Sequence, residues 1–203
     1  MDNFNLTKVY KEYYSARLKP SCFPAGEGKF ITVVGRGEPG GDEFQEKVSA
    51  LYQMGYGIRA IYKGEGRVFT MAKLEGFWWS DNDDEGEAFL AIPRSEWNWK
   101  LLIRLPDFVS LADVEAFKKQ DHNKMTRTAL AIEGELLDQG TSAHILHKGP
   151  FSEESKTLDV LDRFLETNNF KKIGRHHEIY LSDFRRTDPE KLKTILMYQV
   201  QPL

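Results

Sequence analysis

The sequence predicts an α+β fold made of two β-α-β-β repeats, related by pseudo-twofold symmetry, with a crevice between them. The main observation is a pair of similar segments half a chain apart, Leu74–Asp81 and His176–Asp183, which are both aromatic, strand-like and closed by Ser-Asp. A helix-like stretch precedes each segment and a second strand-like run follows it. We therefore expect one repeat over about 29–105, a connector over 106–141 and a second repeat over 142–200.

The first repeat follows an N-terminal arm, residues 1–28, that is interrupted by prolines and glycines. Its first strand is the β-branched run Phe30–Val34, which leads into a glycine-rich turn. A helix begins near Asp42 and carries apolar residues on one face. Gly55 and Gly57 predict the end of this helix, since glycine commonly follows a helical C-terminus.

Two further strands complete the first repeat. The second strand is expected over 68–79, followed by a polar loop over 80–86. The run 97–104 has a period of two residues, with one face more apolar than the other, which is typical of a third strand. Pro106 ends that strand, and the connector contains one short helix that Ser110 is expected to cap.

The second repeat shows the same order of elements. Ala143–His147 is a predicted strand, and Ser152 is expected to cap a helix with two acidic residues in its first turn. Asn168 and Asn169 close this helix. The segment 176–183 is the next strand, and 193–200 is the last one. With these elements, residues 29–203 are expected to form a single domain.

Composition excludes several classes of protein. The chain has 203 residues, a net charge of −3 and interspersed acids and bases, so a nucleic-acid-binding surface is not expected. No apolar run is long enough for a membrane span, and the N-terminus does not resemble a secretory signal. Cys22 is the one cysteine, which excludes an intrachain disulfide and favours a reducing, cytoplasmic location. The oligomeric state cannot be inferred.

Aromatic residues are concentrated in the centre of the chain, where all four tryptophans occur: Trp78, Trp79, Trp97 and Trp99. Core packing is the ordinary explanation, because Trp buries a large area anywhere in a protein. Their position on two adjacent predicted strands also favours a cage for a flat ligand. The sequence alone leaves both interpretations open.

Six stretches in a fixed order, spread over residues 8–200, resemble one known family. They are Gly35–Pro39; Leu51-Tyr52 with Tyr56; Leu74–Trp79; Trp99–Val109; His144–Pro150; and His176–Asp183 with the runs 185–187 and 193–196. The chain resembles the GyrI-like small-molecule-binding domain family, and is similar to its stand-alone subfamily of cyclopropanoid cyclopropyl hydrolases. Phe184 departs from the family pattern, because a proline commonly follows Ser-Asp there.

The resemblance implies a ligand crevice between the repeats that binds hydrophobic, aromatic and often cationic xenobiotics. It implies a carboxylate in that crevice at Glu178, and a possible detoxification by hydrolysis of activated cyclopropane rings. The expected ligand-binding residues are Trp78, Trp99, Tyr56, Glu178 and Tyr180. Alternatives from other classes are a non-catalytic small-molecule-binding or sensing module and a topoisomerase-interacting protein.

Glu178 and Tyr180 are the expected catalytic residues. Strand alternation places both side chains on one face, and burial raises the pKa of a glutamate in an aromatic crevice. Glu178 then attracts a cationic ligand or acts as a general base on water. Tyr180 is expected to donate its phenolic hydrogen to a developing oxyanion. Packing of both side chains without any chemistry is the plain alternative, and Glu75 is expected to point away from the crevice.

No metal or other cofactor is expected. His176 and His177 are neighbours on a strand, so their side chains point to opposite faces and one ion cannot easily take both. His144 and His147 are separated in the same way. The expected partner is the hydrophobic aromatic small molecule that the resemblance implies.

Overall fold

The computed structural model describes residues 3–81, 90, 92–120 and 125–203, so the expected polar loop lies outside the described residues from position 82 onward. The strands are β1 Phe4–Asn5, β2 Ser21–Pro24, β3 Glu27–Arg36, β4 Phe69–Thr70, β5 Leu74–Trp79, β6 Asn98–Leu105, β7 Glu133–Asp138, β8 Thr141–Lys148, β9 Phe170–Tyr180 and β10 Lys193–Pro202. The helices are α1 Leu6–Val9, α2 Asp42–Gly64, α3 Leu111–Gln120, α4 Arg127–Leu130 and α5 Glu154–Thr167. This α+β content confirms the predicted fold class. In the described part of the chain, no helix has the length and apolar character needed to cross a membrane.

Eight strands form one antiparallel sheet in the order β2-β8-β10-β9-β5-β6-β3-β7. The first β-α-β-β unit contributes β3, β5 and β6, and the second contributes β8, β9 and β10. Among the three strands of each unit, the first lies furthest from the centre of the sheet, the third lies next to it and the second lies at the centre. The innermost strands, β5 and β9, pair at the centre and place Gly76 opposite Glu178. This mirrored order agrees with a duplicated half-domain, and the superposition of the two halves remains a prediction.

Helix α2 is longer than the sequence predicted, because it continues through Gly55 and Gly57 to Gly64. A Cβ atom at Gly55 would lie 2.4 Å from the Met71 methyl carbon, and one at Gly57 would lie 2.0 Å from the Phe117 ring. The prediction of a helix end at these glycines was wrong. The two glycines allow α2 to approach Met71 and Phe117 closely. This packing offsets the low helix propensity of glycine.

The start of α5 also differs from the prediction. The expected cap, Ser152, lies in the 3₁₀ turn Phe151–Glu153, and the residue at the N-cap is Glu153, which makes no side-chain cap bond. The C-terminal prediction is confirmed, since Asn168 is the C-cap and Asn169 has a positive φ of 57°. Glu154, the first residue of the helix, is buried. Its side chain therefore points towards the sheet and does not lie exposed at the helix N-terminus.

The connector between the repeats contains the expected short helix, α3, and also a strand that was not predicted. This strand, β7, pairs antiparallel with β3 at the edge of the sheet. Its sequence from Glu133 to Asp138 carries three carboxylates, which have low β-propensity. Pairing with β3 therefore decides its conformation.

The N-terminal arm covers the face of the sheet opposite α2 and α5. Tyr13 and Tyr14 donate hydrogen bonds to the Glu75 carboxylate over 2.6 and 3.0 Å. His177 Nε2 lies 3.0 Å from the same carboxylate. All four residues are buried. As expected, Glu75 points away from the face that carries Glu178, and it ties the arm to the centre of the sheet.

Candidate functional site

A cavity of about 550 Å³ lies over the centre of the sheet, between the beginning of α2, the beginning of α5 and strands β5 and β9. Six aromatic residues contribute to its wall: Phe44, Trp78, Trp97, Phe151, Tyr180 and Phe184. Its polar and charged lining residues are Arg94, Ser152, Glu154, Ser155 and Glu178. Ligand sites are typically apolar cavities of this size with a few convergent polar groups.

The aromatic side chains form a continuous wall. The ring of Trp78 stacks on Phe44 with centroids 6.1 Å apart, and it meets Trp97 edge-on at 5.7 Å. On the other side Tyr180 contacts Phe184 at 5.7 Å and Phe151 at 6.0 Å, both edge-on. These distances are typical of favourable ring pairs. Phe184, the departure from the family pattern, is thus part of the wall.

Glu178 lies at the floor of the cavity, on the face of β9 that also carries His176 and Tyr180. Its side chain is buried, and its Oε1 atom lies 3.1 Å from His176 Nε2. The opposite position on β5 is Gly76, which has no side chain to fill the space above the strand pair. The alternation of β9 and this glycine together expose the Glu178 carboxylate to the cavity.

Tyr180 lies beside Glu178 on the cavity face of β9. Its hydroxyl accepts a hydrogen bond from Trp78 Nε1 over 3.2 Å. Because the indole N–H is the donor in this bond, the phenolic hydrogen remains available for donation into the cavity. Burial raises the pKa of Tyr180 well above its ordinary value, and the negative charge of Glu178 raises it further. The phenol therefore stays neutral.

A second carboxylate, Glu154, reaches the cavity from the first turn of α5. Burial raises the pKa of Glu154 well above its ordinary value, and the neighbouring charge of Glu178 acts in the same direction. Arg94 opposes this shift. Two carboxyl groups that share one site cannot both ionise easily. The site therefore favours the protonated form of Glu154.

The sequence contains an indication that Glu154 is buried, which the strand and helix-cap patterns do not reveal. Glu154 lies in phase with the buried residues Leu158, Leu161 and Leu165, at positions i, i+4, i+7 and i+11 of α5. A glutamate on the apolar face of a helix is unusual, since Glu is almost never buried without a partner. Here the neighbouring charged group is Glu178, and the buried Glu154 Oε1 atom has no hydrogen-bond partner in the described part of the chain.

Two of the expected ligand-binding residues lie outside this cavity. Trp99 is fully buried, with its ring against Gly35 and its indole nitrogen donating to Gly37 O over 3.1 Å. It packs edge-on behind Phe44. Tyr56 is 54% exposed and lines a separate cavity of about 310 Å³ on the far side of the Tyr180–Phe184 wall. Trp78, Glu178 and Tyr180 are the expected residues that the structure brings together.

No metal site is found within the described residues, where no group of three or more His, Cys, Asp and Glu side chains is arranged to hold an ion. His176 and His177 point to opposite faces of the sheet. The former contacts Glu178, and the latter contacts Glu75.

Known proteins resemble this chain in sequence and in fold. Residues 114–201 match the GyrI-like small molecule binding domain. The crystal structure of an uncharacterized conserved protein from Listeria innocua is 34% identical, with a TM-score of 0.88 over 98% of this chain and 100% of that one. The structure of a hydrolase from Listeria innocua is 33% identical, with a TM-score of 0.85 over 98% and 100%.

A more distant structure shares the fold alone. The C-terminal domain of EcmrR is 11% identical, with a TM-score of 0.55 over 91% of this chain and 98% of that domain. No protein of curated function matches the sequence. Because relatives above 30% identity align along nearly the whole chain and the domain match includes Glu154, Glu178 and Tyr180, the chain belongs to the GyrI-like family of small-molecule-binding proteins.

Proposed function

We propose that the protein binds a hydrophobic aromatic small molecule in the cavity and hydrolyses an activated cyclopropane ring of that molecule. The observation that carries the proposal is the pair of buried carboxyl groups, Glu154 and Glu178, inside an aromatic wall. Carboxyl groups with separated protonation states supply a base and an acid at one pH. Two relatives that are described as hydrolases support a chemical role for the site.

Binding follows from the shape and lining of the cavity. Flat rings fit against the wall to which Phe44, Trp78, Phe151 and Phe184 contribute. Removal of apolar surface from water contributes about 25 cal/mol per Å² of buried area. A ligand of drug size is thus expected to bind at micromolar levels, which corresponds to about −8 kcal/mol.

The proposed reaction adds water across the cyclopropane ring of a substrate in which this ring is joined to a cyclohexadienone. Glu178 accepts a proton from water while the water oxygen forms a bond to a ring carbon. The cyclopropane C–C bond breaks, and its electron pair enters the dienone, which becomes a phenolate. Glu154 supplies the proton that neutralises the phenolate oxygen. The carboxyl pair then holds one proton, as before, and the product is a hydroxyalkyl phenol.

The proposed role of Tyr180 follows from its hydrogen bond to Trp78. Its hydroxyl accepts from Trp78 Nε1, so the phenolic hydrogen remains available for donation to the developing phenolate oxygen, as the sequence led us to expect. Positioning of the neighbouring Glu178 is the competing assignment. The Tyr180→Phe variant keeps the ring and removes the hydroxyl. A loss of turnover with an unchanged dissociation constant supports a role for the hydroxyl.

The test is a single-turnover reaction with a spirocyclopropane-fused cyclohexadienone, in which mass spectrometry follows the water adduct. Glu178→Gln and Glu154→Gln are each expected to slow adduct formation by about 10²–10⁴, while the dissociation constant changes far less. The matched control is Glu153→Gln, because Glu153 is the exposed neighbour of Glu154 and lies outside the cavity lining.

Two results would contradict this assignment. Unchanged rates in both variants would mean that other residues perform the chemistry. If the wild-type protein binds the dienone but forms no adduct, the protein is a non-catalytic binding module, which was the alternative from sequence.

A further inference from the structure

We infer that His176 is a positioning residue for the proposed reaction: its ring holds the Glu178 carboxylate in the orientation in which it accepts a proton from water. The inference rests on the proposed function, because it concerns the same carboxylate. It assigns a role to a buried histidine for which the sequence suggested none.

The side chains of His176 and Glu178 meet at the floor of the cavity. His176 Nε2 lies 3.1 Å from Glu178 Oε1, and His176 is 1% exposed. A carboxylate has only acceptor atoms, so the ring nitrogen that contacts it carries the hydrogen. A hydrogen bond to an ionised acceptor is about twice as strong as one between neutral groups. Rotation of the carboxylate about its last bond would break this contact, so the ring restricts that rotation.

His176 acts through Glu178 and does not touch the ligand itself. Among the described residues that line the cavity, Glu178 is present and His176 is not. The ring of His176 packs instead against the buried Tyr198, with centroids 5.1 Å apart. Tyr198 belongs to β10, which neighbours β9 on the side away from β5. The histidine is therefore supported by the next strand of the sheet, while its Nε2 atom reaches the carboxylate.

A bulge in β9 lies directly before this pair of side chains. On the β5 side the register is regular up to His176, which pairs with Trp78. On the β10 side, the three residues 174–176 of β9 lie opposite Tyr198 alone. Gly174 has a φ of 83°, a left-handed conformation that glycine adopts without strain. Bulges beside functional sites commonly re-aim a side chain. We attribute the direction of the His176 ring to this bulge.

Orientation of the carboxylate matters because a general base must lie within hydrogen-bond distance of the proton that it accepts. A misplacement of about 1 Å costs about 10²-fold in rate. Because His176 holds Oε1 of Glu178, the other carboxylate oxygen is the one left for water. Without the ring, a ligand still binds the same aromatic wall, but the carboxylate points less often at the water. The rate should therefore fall while the affinity is kept.

The test uses the single-turnover reaction with the spirocyclopropane-fused cyclohexadienone and compares two amides at position 176. The amide nitrogen of glutamine can occupy the place of Nε2, whereas that of asparagine ends near Nδ1 and falls short of Glu178. His176→Asn is expected to slow adduct formation by about 10–100-fold and to change the dissociation constant by less than about threefold. His176→Gln should stay within about threefold of the wild-type rate.

The matched control is His177→Asn. His177 is as buried as His176, and its Nε2 atom lies 3.0 Å from a carboxylate oxygen of Glu75, but on the opposite face of the sheet. This variant removes a histidine–glutamate contact of the same kind, and it should leave the rate of adduct formation within about threefold of the wild type. Urea unfolding shows whether each variant is folded.

A measurement without substrate tests the contact itself. In protein labelled with ¹⁵N-histidine, the NMR signals of the ring nitrogens report which of them carries a hydrogen, and His176→Gln identifies the signals of His176. We expect a hydrogen on Nε2, and we expect its chemical shift to change in Glu178→Gln, where an amide replaces the carboxylate. An Nε2 atom without hydrogen in the wild type would overturn the inference, even if His176→Asn does not fold.

The two proposals fail in different ways. If the wild type forms the adduct and His176→Asn slows no more than His177→Asn, the positioning role is overturned and the hydrolytic function stands. The same conclusion follows if His176→Gln is as slow as His176→Asn, because a donor at the place of Nε2 then has no effect. If the wild type binds the dienone but forms no adduct, the hydrolytic function fails and the positioning role fails with it.

Discussion

The indole nitrogen of Trp78 donates a hydrogen bond to the hydroxyl of Tyr180 over 3.2 Å, and these two residues are 102 positions apart in the chain. Each lies two residues before the serine of its Ser-Asp pair, so they hold equivalent positions in the two similar segments. Gly76 and Glu178 are related by the same spacing and face each other in the β5–β9 register. The centre of the sheet therefore brings equivalent positions together. One half supplies a glycine and an indole there, and the other half supplies a carboxylate and a phenol.

The first prediction concerns Gly76, whose missing side chain leaves room for this arrangement. A Cβ atom at this position would lie 3.0 Å from Trp78 Nε1 and 3.2 Å from the Tyr180 hydroxyl oxygen. Gly76→Ala should displace the hydrogen-bonded pair and weaken binding of a planar dye by about tenfold, which corresponds to roughly 1.4 kcal/mol. Quenching of Trp fluorescence by the dye measures the change. Gly64→Ala is the control, since a Cβ there meets nothing within 4 Å. Equal affinities in the two variants would contradict the prediction.

The second prediction separates two tryptophans that the sequence treats alike. Trp78→Ala removes a cavity wall and should abolish most dye binding. Trp99→Phe leaves the wall in place but underfills the buried space against Gly35, so it should lower the free energy of unfolding by about 1–3 kcal/mol with little effect on affinity. Urea unfolding and dye titration, applied to both variants, test this division. A large affinity loss in a folded Trp99→Phe protein would show that Trp99 takes part in binding.

The third prediction concerns Glu154 and stability. Its pKa is raised in the folded protein, so above the ordinary glutamate pKa the unfolded chain releases a proton that the folded protein retains to higher pH. Stability from this group therefore falls as pH rises above the ordinary glutamate pKa. Glu154→Gln should unfold at a higher temperature than the wild type at pH 7, and the advantage should shrink as pH falls towards the ordinary value. Melting curves across this range test the prediction, with Glu153→Gln as the control. A variant that is less stable at pH 7 would contradict it.

The fourth prediction concerns His144, a buried residue on β8 that stacks on Phe23 and whose Nε2 atom lies 3.0 Å from Ser21 Oγ. Burial lowers the pKa of His144 from 6.5 to about 4. At pH values between these two, His144 is protonated in the unfolded chain but stays neutral in the folded protein. The stabilising effect of the neutral ring is therefore complete above pH 6.5 and is lost as pH falls towards 4.

The His144→Gln variant measures this pH dependence. The difference in unfolding free energy between wild type and variant should be constant from pH 7 to 8. Between pH 7 and pH 5, the unfolding free energy of the wild type should fall by about 2 kcal/mol relative to that of the variant. A difference that stays constant down to pH 5 would mean that His144 is protonated in the folded protein or does not resist protonation.

The sequence by itself predicted the order of the elements within each β-α-β-β repeat and the face of each central strand. Hydrophobic periodicity depends only on local geometry, so α2, α5 and the main strands could be read from it. Strand alternation likewise placed Glu178 and Tyr180 on one face and Glu75 on the other. These are relationships between residues close in the chain, for which the repeat of the backbone decides where side chains point.

Tertiary structure decided which residues meet. Glu154 becomes a partner of Glu178 only because α5 packs on β9, and its local pattern resembled a capped helix start. Gly55 and Gly57 serve close contacts with residues far along the chain, so α2 passes through positions that end helices elsewhere. Trp78 and Trp99 face each other on paired strands and are both buried, yet Trp78 lines the cavity while Trp99 packs behind Phe44. Such outcomes depend on contacts between distant segments, and no local pattern contains them.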